Sequence, residues 1–254
     1  MQTGPRDDAF LDDNPMLASY ARWRGSPLGR ITDQLEEQLL LELIGDPCDL
    51  DVLDVGCGDG LLASTLAQRG ARVTGVDSDP RMLRAAAQRA RRQSGCMRFD
   101  QGDAQALPYA DASFDRVIAV AMLCFVPDAN RAVREMARVL RPDGELVLGE
   151  LGPWSLWSMV RRVRGLLGHP VWSEVHYRSA NALTALCEAQ GLEVMAKRGA
   201  IYYPPLASIA RIMRQVDPWL GQRTTTGATF IAVMGRKRAT MTAGVSPSMD
   251  RAAP

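Results

Sequence analysis

The 254-residue sequence is short of cysteine, histidine and net charge, and each shortage removes a class of protein. Its five cysteines (Cys48, Cys57, Cys96, Cys124 and Cys187) are odd in number and form no C-x-x-C pair. That excludes a disulfide framework and predicts reduced thiols inside a cytoplasmic protein. Thirty Lys and Arg face 29 Asp and Glu, a formal charge of +1. So even a balance provides no overall field toward nucleic acid or an anionic membrane. No run of 18 apolar residues occurs, so no spanning segment or stable membrane insertion is expected. Met1 to Asp13 is polar and acidic, unlike a signal peptide. There are no internal repeats. A G-K-[ST] sequence is missing after the glycine-rich stretch, which excludes a P-loop. What remains is 46% hydrophobic, enough for one substantial core in one domain carrying an insertion.

The most informative stretch is Val52 to Gly60, VLDVGCGDG. An apolar run ends at Asp54, and Gly56, Gly58 and Gly60 follow at alternate positions. This reads as a buried strand entering a turn where a ligand lies against bare peptide groups. A second strand, Arg72 to Asp77, ends in an acid 21 residues after Gly56. An acid at that tip can accept hydrogen bonds from both hydroxyls of a ribose, so an adenosine-bearing ligand is expected. The pattern is G-x-G-x-G and not the dinucleotide G-x-G-x-x-G, and Asp54 points a carboxylate at the turn. A carboxylate is awkward beside a pyrophosphate and suits a cationic tail. Asp103 and the Ala104 amide follow a third strand at Met97–Asp100, and Ser113 to Val120 reads as the fourth, central strand.

The succession VLDVGCGDG, VTGVDSD, GDAQALP, SFDRVIAV and VLRPDGELVLGEL resembles the type 11 group of class I S-adenosylmethionine-dependent methyltransferases, which includes quinone C-methyltransferases. The likeness runs from about Asp51 to Leu151. Tyr20–Ala21–Arg22–Trp23 and Trp154–Trp157 with Arg161 and Arg162 further resemble a bacterial subgroup of that family. The resemblance implies a Rossmann-like, doubly wound α/β fold whose seven-stranded, mostly parallel sheet carries a small lid insertion after the fifth strand. It implies S-adenosylmethionine as cofactor and a small-molecule methyl acceptor. Asp54 with Gly56, Cys57, Gly58 and Gly60 would hold the methionine end, and Tyr20 would close over it. Asp77 would take the ribose diol, with Ser78 nearby and Met82 against the adenine. Asp103 and Ala104 would meet the adenine edge. Ala119 to Ala121 would face the departing methyl. The subgroup often carries an acid where this chain has Cys124.

Other residues read more plainly. Asp115 begins a strand and reads as structural, while Asp111 and Asp128 suit a turn and an N-cap. His169, in Gly-His-Pro, is a loop residue. The arginines at 84, 89, 91 and 92 read as a solvated helix face, since no aromatics interleave with them. Trp154 and Trp157 stand where this fold builds its lid, and they serve equally as core anchors. With Tyr177 and Tyr202 they give the lid an aromatic character that favours a hydrophobic or aromatic acceptor. The Asn/Asp-Pro-Pro-Tyr motif of amino-methylating nucleic-acid enzymes is missing after the fourth strand, as are the clustered acids of a metal-dependent enzyme, so neither nucleic acid nor metal is expected. The candidate bases are Tyr20, His176, Tyr177 and Cys124. A non-catalytic cofactor-binding sensor and an NAD-dependent oxidoreductase are the rival readings.

Along the chain, residues 1–15 read as loose and 16–235 as a single domain, with its cofactor core at 46–151 and lid segments at 16–30, 152–178 and 203–222. Helices are expected at Ile31–Ile44, Leu61–Arg69, Pro80–Gln93, Asp128–Leu140 and Ser179–Gln190. Later strands are expected at Glu145–Glu150, Leu192–Tyr203 and Thr224–Gly235, with a disordered tail from Arg236.

Overall fold

A computed structural model describes residues 22–169, 171–173 and 175–239. The loose N-terminus, the placement of Tyr20 and the expected tail from residue 240 onward therefore lie outside the described residues.

Helix α1 (Pro27–Ile44) starts four residues before the amphipathic stripe, because Ser26 caps it by accepting from the Gly29 N–H and Pro27 sits in its first turn. The alternation then follows: β1 (Asp51–Val55), α2 (Leu61–Gln68), β2 (Arg72–Asp77), α3 (Pro80–Arg91) and β3 (Cys96–Gln101). After β4 (Phe114–Val120) come a 3-10 turn (Leu123–Phe125), α4 (Ala129–Val139) and β5 (Leu140–Leu151). The remainder is α5 (Leu156–Leu166), α6 (Ala180–Glu188), β6 (Leu192–Ala200), α7 (Ala207–Met213), α8 (Asp217–Gly221) and β7 (Phe230–Lys237). The seven strands form one sheet in the order β3-β2-β1-β4-β5-β7-β6, and β7 alone among them pairs antiparallel to its neighbours on both sides. This is the doubly wound, mostly parallel sheet that the motif order implies.

Both faces of the sheet are covered, which is why its central strands are apolar at consecutive positions. Leu53, Val117, Leu146 and Leu148 face a core built with α4 and α6. Val52, Ile118 and Val147, one residue out of step, face the other core with Leu35, Leu39, Leu43 and Leu66. The strand order reverses between β1 and β4, so the carboxyl ends of these strands open a crevice.

Beyond the start of α1 and shifts of one or two residues at other helix and strand ends, four boundary differences have a definite physical cause. β5 begins at Leu140, directly after α4. Phe114 pairs with Leu140 but Arg116 with Glu145, so Arg141 to Gly144 form a bulge, with Asp143 at φ +61°. β6 ends at Ala200 and not Tyr203, because Ile201 adopts φ +66° and both oxygens of buried Asp217 accept the Ile201 and Tyr202 amides, each at 2.8 Å. The Thr224–Thr229 stretch is a turn and not a strand, its Thr226 N–H donating to Thr224 Oγ1. Conversely, Arg236 and Lys237 belong to β7 and not to a disordered tail. Lys237 Nζ donates to the carbonyls of Ala137 and Leu140, each at 2.7 Å, and so caps the end of α4.

Candidate active site

At the carboxyl end of β1 the chain turns on three glycines, each at positive φ, and they do different work. A Cβ at Gly56 would come within 2.6 Å of Met122 Cβ, and one at Gly60 within 2.9 Å of Ala86 Cβ. These two are glycines because the loop packs tightly. At Gly58, φ +55°, a Cβ would meet nothing within 4 Å. Its bare backbone faces open space.

The loop is strapped to β2. The Gly56 and Cys57 amides donate to the Val76 carbonyl, and the Gly58 amide donates to Asp77 Oδ2 at 2.9 Å. The other oxygen, Asp77 Oδ1, accepts from the Asp79 amide at 2.9 Å. Asp77 therefore joins the glycine turn to the start of α3. Asp59 carries a further clamp that spacing did not reveal. Arg89 reaches back from α3 to Asp59 Oδ2 at 2.6 Å and to the Asp59 carbonyl at 2.9 Å. Arg89 is thus a loop support and not part of a solvated face. Arg24 also pairs with Asp59, at 3.5 Å.

Asp54 is 3% exposed, and its Oδ2 has no hydrogen-bond partner among the described residues. Burial, reinforced by the like charges of Asp77 and Asp59, pushes its pKa up to about 7. A buried carboxylate oxygen with an open valence for a donor, beside a turn of bare peptide, fits a ligand that brings its own cationic donor. Cys57 shares this environment, and burial with the nearby acids pushes its thiol far up, so it stays protonated.

The remaining predicted cofactor contacts lie along the same edge. Ser78 is exposed and its carbonyl accepts from Gln101 Nε2. Met82 is half-buried in the first turn of α3. Asp103 is exposed, with Oδ1 accepting from the Gln105 amide at 2.8 Å, and Ala104 is buried beside it. Ala119 is fully buried in β4. Two residues on, Ala121 takes the left-handed conformation, φ +49°, and its amide donates to the Gly149 carbonyl at 2.7 Å. A non-glycine residue held in that region marks a backbone that its surroundings over-determine.

Beyond β4 the structure gathers three of the candidate bases. The His176 amide donates to the Cys124 carbonyl, and the Arg178 amide to the Leu151 carbonyl, which stitches segment 175–178 across the ends of β4 and β5. Arg178 Nη1 also donates to the Leu123 carbonyl at 2.9 Å. Cys124 is fully buried and burial drives its thiol up, out of reach of ionisation at neutral pH. The Tyr177 hydroxyl is buried with no hydrogen-bond partner among the described residues, and burial raises its pKa too. Arg162 lies 4.8 Å over the Tyr177 ring. His176 is exposed.

Glu150, which in the sequence pattern only ends a strand, belongs to this cluster as well. It is fully buried; Oε1 accepts from the Leu123 amide at 2.7 Å, and Oε2 has no partner among the described residues. Burial pushes its pKa up to about 7 against the opposing pull of that hydrogen bond and Arg178.

The aromatic residues divide. Trp157 is 8% exposed, and its Nε1 donates to the Tyr203 carbonyl at 2.8 Å, which makes it a core anchor. Trp154 is 72% exposed. Tyr202 donates its hydroxyl to the Thr224 carbonyl and braces the turn before β7. Asp115 accepts from the Asp51 amide and pairs with Arg141, Asp111 pairs with Arg138, and Asp128 caps α4.

Comparison with known proteins bears on the family and the fold. The type 11 methyltransferase-domain model matches residues 53–148. Methyltransferase GfsG of Streptomyces halstedii is 41% identical over 150 residues, 56% of this chain and 52% of that protein, so the chain spans about half the length of that relative. The ubiquinone biosynthesis O-methyltransferase of Bordetella avium is 33% identical over 214 residues, 78% of this chain and 86% of that one. Among solved structures, an S-adenosylmethionine-dependent methyltransferase from Thermotoga maritima superposes with a TM-score of 0.69 at 21% identity, covering 88% of this chain and 97% of that chain, a likeness of fold. The chain belongs to the type 11 family of class I S-adenosylmethionine-dependent methyltransferases.

Proposed function

We propose that the protein transfers a methyl group from S-adenosylmethionine to a small, hydrophobic or aromatic molecule. The observation that carries the cofactor reading is the unpartnered, buried Oδ2 of Asp54 beside the open backbone at Gly58. An ammonium satisfies the first, and a ligand lying on bare peptide uses the second. Bound there, S-adenosylmethionine supplies an electrophilic methyl on a sulfonium. Asp54 binds the ammonium, and the loop from Gly56 through Cys57 and Gly58 to Gly60 takes the carboxylate end. Asp77 retains acceptor lone pairs for the ribose diol after serving the Gly58 and Asp79 amides. Ser78, Met82, Asp103 and Ala104 border the adenine, and Ala119 to Ala121 border the methyl.

Methyl transfer is an in-line displacement, and alignment of nucleophile, methyl and sulfur accounts for on the order of 7–11 kcal/mol of the barrier. The left-handed Ala121 and the carboxylate of Glu150, which pins the Leu123 amide, hold the end of β4 for that purpose. Tyr177 presents a hydroxyl to the acceptor, while segments 152–178 and 203–222 act as the lid. The buried, protonated Cys124 is unsuited to act as a base, which favours acceptors that arrive already nucleophilic. Support for an apolar acceptor comes from Trp154 and Tyr177 on segment 152–178 and from a relative that acts in ubiquinone biosynthesis.

The test uses methyl-labelled S-adenosylmethionine with the protein and a host-cell extract, the label being partitioned between organic phase, aqueous phase and acid precipitate. Catalytic accumulation of label in the organic phase is expected. Label in the precipitate would point to a macromolecular acceptor, and no turnover with any fraction would favour the cofactor-binding sensor.

A further inference from the structure

Helix α5 carries an apolar face that stands exposed among the described residues. Leu156, Met159, Val160, Val163 and Leu166 of the helix and Leu167 at its C-cap are all exposed, the last two at 88% and 81%. At 3.6 residues per turn these six occupy one continuous arc of about 120°. Trp157 and Ser158, the buried residues of the helix, lie on its other side. Arg162 and Arg164 fall on the two borders of the apolar arc, and both are exposed. An apolar stripe bordered by arginine is the pattern of a helix lying in a bilayer interface, where the guanidinium groups reach the headgroups.

A second observation concerns charge. Residues 151–178 contain four arginines and one acid, Glu174, while residues 201–229 contain three arginines and one acid, Asp217. Asp217 is fully buried and hydrogen-bonded to backbone amides, so it does not offset charge at the surface. These two segments are net +5, which leaves the rest of a +1 chain at net −4. Arg161 faces Glu36 of α1 and Arg178 donates to the Leu123 carbonyl, so the exposed charge of the two segments is that of Arg162, Arg164, Arg211, Arg214 and Arg223. The two segments also share one edge of the molecule: α5 follows the end of β5 and α7 follows the end of β6, and both strand ends pair with Phe230 at the start of β7. The second segment adds Ile212, 73% exposed, and Trp219, 52% exposed, to the apolar surface.

We propose that this edge docks peripherally on an anionic lipid bilayer, with the apolar arc of α5 in the interface and Arg162 and Arg164 among the headgroups. It does not cross the membrane; no described helix is long and apolar enough to do so. The site's crevice opens at the same edge, so docking presents it to molecules dissolved in the bilayer. The inference rests on the surface of α5 and its charge, independently of which acceptor is methylated.

The 254-residue chain is mixed with vesicles of phosphatidylcholine alone, or of phosphatidylcholine with phosphatidylglycerol at three to one, and centrifuged at low and high salt. Binding to the anionic vesicles is expected to be at least about tenfold tighter than to the neutral ones and to weaken with salt. The double variant Leu166→Glu with Leu167→Glu places two acids on positions that already face solvent, so it folds; it is expected to lose vesicle binding at least about tenfold while retaining S-adenosylhomocysteine binding. Absence of vesicle binding, equal binding to both vesicles, or binding unchanged in the double variant overturns the proposal. So does a stable dimer in light scattering that the double variant dissociates, since the face would then join two copies of the chain.

Discussion

Substituting Asp54 by Asn should move stability and cofactor affinity in opposite directions. In the ligand-free protein the Asp54 carboxyl is held at about 7 against an ordinary value of 3.8, chiefly by burial and then by Asp77 and Asp59. The folded state therefore keeps a proton that the unfolded chain has lost, and the contribution of Asp54 to stability falls as pH rises from about 4 to about 7. At 1.36 kcal/mol per pKa unit, that displacement withholds about 4 kcal/mol above pH 7. Asn cannot ionise, so the stability of Asp54→Asn relative to wild type should rise across this range by up to that amount. Affinity changes the other way. Ionised Asp54 is the form that accepts an ammonium, so the wild-type dissociation constant for S-adenosylhomocysteine should increase roughly tenfold from pH 8 to pH 6. In the variant that dependence should flatten. The lost charge-assisted hydrogen bond, about 1.5–3 kcal/mol, should weaken binding at pH 8 by roughly 10- to 150-fold. Urea titrations and calorimetry across the pH range measure both. A wild-type affinity that is flat between pH 6 and 8, with an Asp54→Asn protein that binds equally well, would refute the assignment of Asp54 to the ammonium.

Gly58→Ala costs about 1 kcal/mol of stability through its positive φ, with no clash, yet should lower affinity far more than melting temperature because its Cβ enters the open backbone surface. Arg89→Ala releases the Asp59 clamp and should weaken S-adenosylhomocysteine binding several-fold while changing stability by less than about 1 kcal/mol, read by calorimetry and thermal melts. Glu150→Ala leaves the Leu123 amide unsatisfied in the interior and should destabilise by about 1–3 kcal/mol from that source, with a cavity cost added. Glu150→Gln keeps an acceptor for that amide and should instead remove the decline in stability that Glu150 imposes as pH rises from about 4.5 to about 7, measured by denaturation at both ends of that range.

The features legible in the sequence were those whose cause is local. Glycines at alternate positions before a helix, an acid at the tip of β2, and Asp128 as the cap of α4 each follow from backbone requirements within a few residues. The features that escaped depend on partners remote in sequence. Arg89 meets Asp59 from 30 residues away, Glu150 meets Leu123 from 27, and Trp157 meets Tyr203 from 46. Nothing in the periodicity around Arg89 separates a loop clamp from a solvated arginine. Boundaries failed where turn chemistry and strand propensity competed. Arg141–Pro142–Asp143–Gly144 reads as a turn before a strand, and it is a bulge within one. The threonines at 224–226 favour strands by propensity, yet the Thr224 hydroxyl and the Thr225 carbonyl accept the Thr226 and Ala228 amides locally in a turn. A sum of charge over the chain likewise carries no information about which edge the arginines share.

The central claim is that the carboxyl ends of β1 and β2 hold an S-adenosyl cofactor by its charged tail and its ribose. Calorimetric titration of S-adenosylhomocysteine into wild type and Asp77→Ala, with NAD as the competing ligand, tests it most directly. The account predicts one site per chain in the wild type, at least about tenfold weaker binding in a variant that still melts cooperatively, and no saturable binding of NAD. Undiminished binding in Asp77→Ala, or NAD bound more tightly than S-adenosylhomocysteine, would contradict it.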